Sequence, residues 1–148
     1  MDKTVIQLAS FEYSFDLLER YNQKIGCSLS KLELERWIQK ILSVGDPLAM
    51  LDNNEIVAFL LLYCNNIETQ EAYICNVYVS ENYRGRKLSE DLVKNAILIC
   101  KSRRFNSVIL DVEENNDPAL CIYKKCGFEV FDTIQKEGHN YLKMKYML

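Results

Sequence analysis

Residues 79 to 89 read Val79-Ser-Glu-Asn-Tyr-Arg84-Gly85-Arg86-Lys87-Leu88-Ser89, and this stretch decides the fold. It joins an apolar run, 72–79, to a run with apolar side chains at helical spacing. The stretch therefore predicts a strand, a basic turn that contains glycine, and an amphipathic helix. Such a turn exposes unpaired backbone N–H groups at the positive end of a helix dipole, which suits a phosphate group. Taken alone, an Arg-Gly turn equally fits an ordinary solvated connection.

The segments on either side extend this unit. Residues 107–112 place Val108, Leu110 and Val112 on one face of a strand, so 72–112 predicts a β-α-β unit with parallel strands. Downstream, 116–128 reads Asn116-Asp-Pro-Ala119-Leu-Cys-Ile-Tyr123-Lys-Lys-Cys-Gly127-Phe128. This predicts a helix capped by Asp117, with Pro118 at its first position and Gly127 just past its end.

The remaining segments complete one domain over residues 1–148. Helices are expected over 10–25, ending at Gly26, and after the capping box formed by Ser30 and Glu33. Hairpins are expected around Asp52-Asn53-Asn54 and over 128–147, and a first strand over 4–8. The prediction is a single α+β domain with a mixed sheet in the order β-α-α-β-β-β-α-β-α-β-β.

Composition limits the classes of function. The formal net charge of -3 and the pI near 5.3 argue against a nucleic-acid partner, although the local charge of Arg84, Arg86 and Lys87 suits a small anion. Six cysteines without a C-x-x-C pair, and one histidine, predict buried free thiols and no metal site. The longest apolar run, 56–64, is too short to span a bilayer, so a cytoplasmic protein without a membrane partner is expected.

The pattern V-x-x-x-x-R-G, followed by N-x-x-A-x-x-x-Y-x-x-x-G-F, resembles the GNAT acetyltransferase superfamily over 73–128, and the other elements follow the same order. The resemblance implies acetyl-CoA as acyl donor. Its diphosphate would lie on Arg84, Gly85, Arg86, Lys87, Leu88 and Ser89, and its pantetheine arm along Val77, Tyr78 and Val79. Lys87 and Ser89 replace two small residues of the usual pattern. Because a lysine can adopt helical backbone angles, this is interpreted as a tolerated variant whose ammonium adds to phosphate binding.

The resemblance also implies catalytic roles. Tyr123 would protonate the departing CoA thiolate, although a tyrosine packed in the core is the alternative. Asp111, at the end of its strand and opposite the apolar face, is the candidate general base, directly or through a water. Asn116 would bond the pantetheine arm or simply start the helix. Glu113 and Glu114 are weaker candidates for the base, because they fit equally well as solvated loop charges. Glu71 could shape the acceptor cleft.

Other side chains are given structural interpretations. Trp37, Tyr13 and Tyr21 could line an acceptor pocket, but aromatics at helical spacing are more often core. Cys75 and Cys121 are interpreted as structural thiols, since no histidine is placed to activate them.

The hypothesis is an N-acetyltransferase that moves acetyl to a primary amine by direct attack in a ternary complex. The alternative is a catalytically weak acyl-CoA sensor or interaction module of the same fold. The partner of the acetyltransferase would be a small-molecule or protein amine. The chain would be a monomer or a homodimer.

Overall fold

The computed structural model describes residues 2–8, 12–26 and 29–148. It contains four helices and seven strands in the predicted order, with one 3₁₀ turn at Glu81–Tyr83. The helices are α1 (Glu12–Lys24), α2 (Lys31–Val44), α3 (Leu88–Ser102) and α4 (Asp117–Cys126). The strands are β1 (Ile6–Gln7), β2 (Asp46–Asp52), β3 (Glu55–Tyr63), β4 (Glu71–Val79), β5 (Ser107–Glu113), β6 (Glu129–Lys136) and β7 (His139–Met147). The predicted α+β architecture with a mixed sheet is confirmed.

All seven strands form one sheet in the order β1-β2-β3-β4-β5-β7-β6. The β4–β5 pair is parallel, as the β-α-β pattern predicts, and the other neighbours are antiparallel. The parallel pairing is short, because it joins only residues 71–73 of β4 to residues 107–109 of β5. Beyond this point the two strands diverge, and each carries residues with no partner strand on that side.

Two apolar cores hold the sheet. The first lies between the sheet and the α3 side, where the alternation predicted for β5 buries Val108, Leu110 and Val112. The second lies under α1 and α2, against β2 and β3, and includes the fully buried Phe59 and Tyr21. The helices of the second core contact mainly β2 and β3, and α1 also reaches β4, where Tyr21 packs against Tyr78.

Several element ends differ from the prediction. The first strand is two residues long rather than five. The predicted start of α1, including Phe11, and the side chain of Tyr13 lie outside what the structure describes. Helix α4 is capped by Asn116 and not by Asp117, because the Asn116 side chain accepts a bond from the backbone N–H of Ala119. Asn and Asp cap helices about equally well. Where the two are neighbours, the sequence does not decide which one is the N-cap.

The turns follow their residue types closely. Ser30 caps α2 by accepting a bond from the Glu33 N–H at 3.2 Å. Asn53 and Asn54 both have positive φ angles, 50° and 59°, as the tight turn of the β2–β3 hairpin requires. Helix α2 buries Ile38 and Ile41, whereas Leu42 is half-buried and so is Trp37, which is interpreted as core from its spacing.

The expectation that the cysteines are buried is half wrong. Cys64 and Cys100 are buried, but Cys75 and Cys121 are exposed and Cys126 is half-buried; all five are free thiols, and Cys27 lies outside the described residues. The exposed pair sits where the sheet and α4 flank an open cleft, which an apolar sequence context does not reveal. No helix among the described residues is both long and apolar enough to cross a membrane.

Gly127 and Gly138 provide a test of the α4 terminus. Both have positive φ angles, 105° and 78°, but an added Cβ at Gly127 meets the Tyr146 ring at 2.9 Å and one at Gly138 meets nothing within 4 Å. We expect Gly138→Ala to lower the free energy of unfolding by about 1 kcal/mol through backbone strain alone. Gly127→Ala should lower it by about 2 to 4 kcal/mol, because overpacking adds to the strain. Urea unfolding checks this, and equal losses would contradict the packing role of Gly127.

Candidate active site

An open cleft of about 910 Å³ lies where β4 and β5 diverge. Its walls are the second half of β4, the turn before α3, the end of β5 and one side of α4. Twelve residues are predicted for the site, and all but Arg86 line this cleft. Those that line it are Val77, Tyr78, Val79, Arg84, Gly85, Lys87, Leu88, Ser89, Asp111, Asn116 and Tyr123.

A β-bulge prepares β4 for the cleft. Asn76 pairs with Leu61 and Ile74 with Leu62, so Cys75 is an extra residue in β4. The bulge switches the alternation of the strand. Ile74 and then Val77 and Val79 pack toward the α3 side, while Tyr78 turns to the α1 side and meets the Tyr21 ring edge-on at 5.5 Å.

The backbone of Val77 and Val79 faces the gap. The N–H of Ser80 donates to the carbonyl of Val57 on β3 at 2.8 Å. Because backbone groups alternate in direction along an antiparallel pair, Val79 and Val77 direct their N–H and C=O groups away from β3. No strand pairs with them on that side. An extended ligand in the cleft can therefore add to β4 as a strand would.

The turn before α3 offers a second set of unpaired amides. Gly85 has a φ of 80°, and Lys87, the N-cap of α3, has a φ of 63° and a ψ of 26°. The Lys87 side chain makes no capping bond, so the first N–H groups of α3 are not capped by it. The expectation that Lys87 takes right-handed helical angles is wrong, because its backbone is left-handed. That conformation is strained for any residue other than glycine.

Arg84 and Arg86, which are both predicted to contact the diphosphate, have different surroundings. Arg84 lines the cleft and donates its Nε to the Val79 carbonyl at 3.2 Å. Arg86 lies outside the cleft lining, with its guanidinium 5.0 Å from the centre of the Tyr83 ring. Tyr83 in turn donates its hydroxyl to Asp52, in the β2–β3 hairpin. Arg86 therefore braces the turn from outside, and its contact with the cofactor stays a prediction.

Tyr123 stands on the α4 wall of the cleft. Its ring packs edge-on to Phe128 with centroids 6.0 Å apart, and among the described residues its hydroxyl has no hydrogen-bond partner. Burial, with a smaller effect of the Cys126 thiol, raises the pKa of Tyr123 to about 12. Because the pKa is raised, the hydroxyl keeps its proton throughout the neutral range and is available there as a proton donor.

Asp111 reaches the cleft from the opposite face of the sheet. Its Oδ2 atom accepts bonds from the Tyr73 hydroxyl at 3.2 Å and the Lys136 ammonium at 3.0 Å. Its Oδ1 atom is inaccessible to solvent and has no partner. Burial, with the charge of Asp111 next, raises the pKa of Tyr73 to about 12, which keeps that hydroxyl a donor. The gap between β4 and β5 thus joins a proton donor on one face to a carboxylate on the other.

The other acidic candidates are less suited to the chemistry. Glu71 accepts bonds from Ser107 and Lys145 where β4 and β5 are still paired, outside the cleft lining. Glu114 is exposed and bonded to Asn140, while Glu113 lines the cleft and accepts a bond from Tyr141. Asn116 lines the cleft, but its Oδ1 is used to cap α4, so only its amide N–H groups remain for a ligand.

Cys75 and Cys121 both line the cleft, and the surroundings of Cys75 make its thiol a poor nucleophile. Desolvation raises the pKa of Cys75, with weaker opposing effects from Lys40 and Lys136, so its thiol stays protonated at neutral pH. The core interpretation of Tyr21 is confirmed, since it is 2% exposed and packs against Phe59. In the part of the chain that the structure describes, no group of three or more His, Cys, Asp and Glu side chains could hold a metal ion.

Two cleft residues escape the sequence patterns. Glu90, in the first turn of α3, is ion-paired with Lys94 at 3.5 Å and with Lys125 of α4 at 3.4 Å. These lysines lower the pKa of Glu90 although desolvation acts in the opposite direction. Glu90 and Lys125 both line the cleft and tie its two helical walls together. The spacing from Glu90 to Lys94 marks a helix pair, but nothing local indicates the contact with Lys125.

Comparison with known proteins agrees with this geometry. The model of the Acetyltransferase (GNAT) family matches residues 11–128, which is most of the chain. The chain belongs to the GNAT acetyltransferase family. The predicted superfamily is thereby confirmed.

Individual GNAT relatives match parts of the chain. A mycothiol acetyltransferase of Corynebacterium glutamicum is 38% identical over 89 residues, covering 60% of this chain and 30% of that protein. A putative [ribosomal protein bS18]-alanine N-acetyltransferase of Bacillus subtilis is 35% identical over 68 residues, covering 45% of each. The match thus spans under a third of the first relative's length and under half of the second's.

A solved GNAT structure shares the whole fold. The acetyltransferase of Elizabethkingia anophelis with acetyl-CoA bound superposes with a TM-score of 0.69 at 21% identity, covering 98% of this chain and 97% of that one. At this identity the likeness establishes the fold alone.

Lys87→Gly separates strain from ligand binding in the GNAT turn. Glycine accepts the left-handed angle of residue 87 freely, so we expect the free energy of unfolding to rise by about 1 kcal/mol. The same change removes the ammonium, so affinity for CoA should fall about tenfold. Urea unfolding and calorimetric titration with CoA measure the two effects.

Arg86→Ala is the matched control, since it removes one positive charge outside the cleft lining. It should change CoA affinity by less than about twofold at physiological salt. Unchanged CoA affinity in Lys87→Gly would rule out contact between that ammonium and the diphosphate.

Proposed function

We propose that the chain is an N-acetyltransferase that transfers acetyl from acetyl-CoA to a primary amine by direct attack in a ternary complex. The observation that carries this is the unpaired edge of β4, which runs directly into the uncapped turn of α3. An extended arm ending in a diphosphate fits this succession of backbone groups. Tyr123 and Asp111 then flank the place where the reacting end of such a ligand would lie.

The acyl donor is held mainly by backbone. The Val77 and Val79 groups that face the gap would bond the amides of the pantetheine arm. The first N–H groups of α3, with Arg84 and Lys87 beside them, would take the diphosphate. The Elizabethkingia relative with acetyl-CoA bound supports this choice of donor. The backbone N–H groups of Val77 and Val79 that face the gap would also polarise the thioester carbonyl as charge develops on its oxygen.

The chemistry moves one proton at each end of the reaction. The amine nitrogen bonds the acetyl carbon, its proton passes to Asp111 directly or through a water, and the carbon–sulfur bond breaks. Tyr123 gives its proton to the sulfur as that bond breaks, and CoA leaves as a thiol. The burial that raises the pKa of Tyr123 also disfavours a free thiolate beside it, which favours proton transfer to the sulfur.

The acceptor reaches the thioester from the face that carries Asp111. On that face Tyr73 and Lys136 bond Asp111 beside the gap, and α1 packs on β4 through Tyr21 and Tyr78. One relative is named a mycothiol acetyltransferase and the other a putative ribosomal-protein alanine N-acetyltransferase, so both names state the transfer of an acetyl group. The acceptor proposed here is accordingly a small-molecule or protein amine.

A panel of amines followed by CoA release tests the proposal. The panel would contain polyamines, amino sugars, lysine and short peptides with free N-termini, each with acetyl-CoA and without an amine as the blank. Amine-dependent CoA release with a matching acetylated product supports the proposal. Binding of acetyl-CoA with no release for any amine would instead favour the sensor or interaction module.

Tyr123→Phe removes one hydroxyl and keeps the ring contact with Phe128. We expect turnover to fall by roughly 10²- to 10⁴-fold, with little change in the Kd for CoA. Since the pKa of Tyr123 is raised to about 12, the wild type should not lose activity through this group between pH 7 and pH 10. Tyr146→Phe is the control, because Tyr146 also packs against Phe128 but does not line the cleft. Wild-type turnover by Tyr123→Phe, with chemistry rate-limiting, would exclude the acid role.

Asp111→Asn keeps the shape of the side chain and removes the base. Turnover should fall strongly near neutral pH and recover in part as the pH rises, because a free amine then needs no help in losing its proton. A pH profile of kcat/KM with a good amine checks this. A loss that is constant across the profile would assign Asp111 a structural role.

A further inference from the structure

Helix α4 carries Tyr123 but is anchored to the rest of the fold by few side chains. Leu120 is its one buried residue, while Tyr123 and Cys126 are half-buried against the first core. Among the described elements, α4 makes its main contact with α3. The place of the Tyr123 hydroxyl in the cleft therefore depends on how α4 is held against α3.

An ion pair joins these two helices at the cleft. The Oε2 atom of Glu90, in the first turn of α3, lies 3.4 Å from the ammonium of Lys125, in the last turn of α4. The Glu90 side chain is only 11% exposed, and both residues line the cleft. Desolvation raises the pKa of Glu90, but the charges of Lys125 and then Lys94 outweigh it and hold that pKa below its usual value. The carboxylate is therefore ionised, and the pair intact, in any assay near neutral pH.

Glu90 has a second lysine partner that does not join the helices. Its Oε1 atom lies 3.5 Å from the ammonium of Lys94, four residues further along α3. The Lys94 and Lys125 side chains are similarly exposed, 61% and 55%, but Lys94 does not line the cleft. One carboxylate thus forms two ion pairs, and only the pair with Lys125 spans the two helical walls.

We propose that Lys125 is a positioning residue for the acetyl transfer, whose ion pair with Glu90 fixes the Tyr123 hydroxyl relative to the turn that would hold the diphosphate. This rests on the proposed function. The diphosphate and the sulfur belong to one ligand, so Tyr123 meets the sulfur only if α4 keeps its distance from the first turn of α3. Misplacing a reacting group by about 1 Å can cost on the order of a hundredfold in rate. Lys125 itself touches neither the sulfur nor the amine in this role.

The test is the rate of a single turnover at saturating acetyl-CoA, with an amine that the wild type accepts. Lys125→Met removes the link between the helices and leaves Glu90 paired with Lys94. We expect the rate to fall about three- to tenfold, because the acid is displaced and not removed. The Kd for CoA, from calorimetric titration, should change less than about threefold. Lys125→Arg keeps the charge and should bring the rate to within about twofold of the wild type.

Lys94→Met is the matched control. It takes the same charge from the same carboxylate, but the pair that it removes lies within α3. The rate should therefore stay within about twofold of the wild type, as expected for an exposed pair between residues four apart on one helix. Equal losses in Lys94→Met and Lys125→Met would show that the charge near Glu90 matters and the link between the helices does not, which would overturn the positioning role.

Combining Lys125→Met with Tyr123→Phe tests whether Lys125 acts through the tyrosine. If Lys125 only places that hydroxyl, the double variant should be slower than Tyr123→Phe by less than about twofold, since the group to be placed is absent. Losses that multiply in the double variant would contradict the role, because Lys125 would then act on another part of the site. Glu90→Gln removes the other half of the pair. It should slow the single turnover as Lys125→Met does, and it provides a second measurement if the lysine variant folds poorly.

A direct contact between Lys125 and the diphosphate predicts a different result. Lys125→Met would then weaken CoA binding about tenfold or more and leave the saturated rate unchanged. Glu90→Gln would strengthen CoA binding, because it frees the lysine for the phosphate. Either result overturns the positioning role while the acetyltransferase stands.

The remaining outcomes separate this proposal from the proposed function. If the wild type acetylates no amine, the proposed function fails and the role of Lys125 fails with it. If the wild type is active but Tyr123→Phe turns over equally fast, the acid and its positioning residue are both excluded and acetyl transfer stands. A slower single turnover in Lys125→Met, with an unchanged Kd and reversal by Lys125→Arg, supports the role.

Discussion

The divergence of β4 from β5 is the constraint on which the rest of the site depends. The two strands pair over only three residues each, and a sheet that stops pairing inside a folded domain leaves backbone groups without partners. In this protein those groups become the wall of a cleft. The bulge at Cys75 makes this wall suitable for a ligand. It turns the side chains of Val77 and Val79 toward α3 and leaves their backbone groups facing the gap. The backbone of an incoming ligand can then replace the missing strand.

The turn that follows shows how much backbone strain such a site can contain. Left-handed angles at Gly85 are free of cost, but at Lys87 they are maintained against the preference of an L residue. The surrounding contacts support the turn from outside: Arg86 stacks on Tyr83, Tyr83 bonds Asp52, and Lys3 donates to the Arg86 carbonyl. Strained residues of this kind persist where neighbours over-determine them, and they concentrate at ligand sites.

Most of the fold could be predicted from residue patterns, because the elements obey local rules. The asparagine pair of the first hairpin, Ser30 before α2 and Gly127 after α4 all occupy the positions that their backbone preferences favour. The predicted site residues are also brought to one cleft, except Arg86. The errors arise where a pattern has two solutions. Asn116 and Asp117 can each cap a helix, and the backbone of a lysine can be right-handed or left-handed. Only the tertiary structure decides which residue caps α4 and which conformation Lys87 adopts.

What the sequence could not show is the charge on each face of the sheet. Asp111 and Lys136 are separated by the whole of α4 and most of β6, and β7 intervenes between their strands, so no spacing rule connects them. Their contact matters because a lone carboxylate in the gap would hold a cationic amine and its proton tightly. With Lys136 bonded to Oδ2, that negative charge has a direct partner. The proposed base, Asp111, is thus held by a long-range ion pair, whereas the proposed acid, Tyr123, depends on its position in a helix that ends at Gly127.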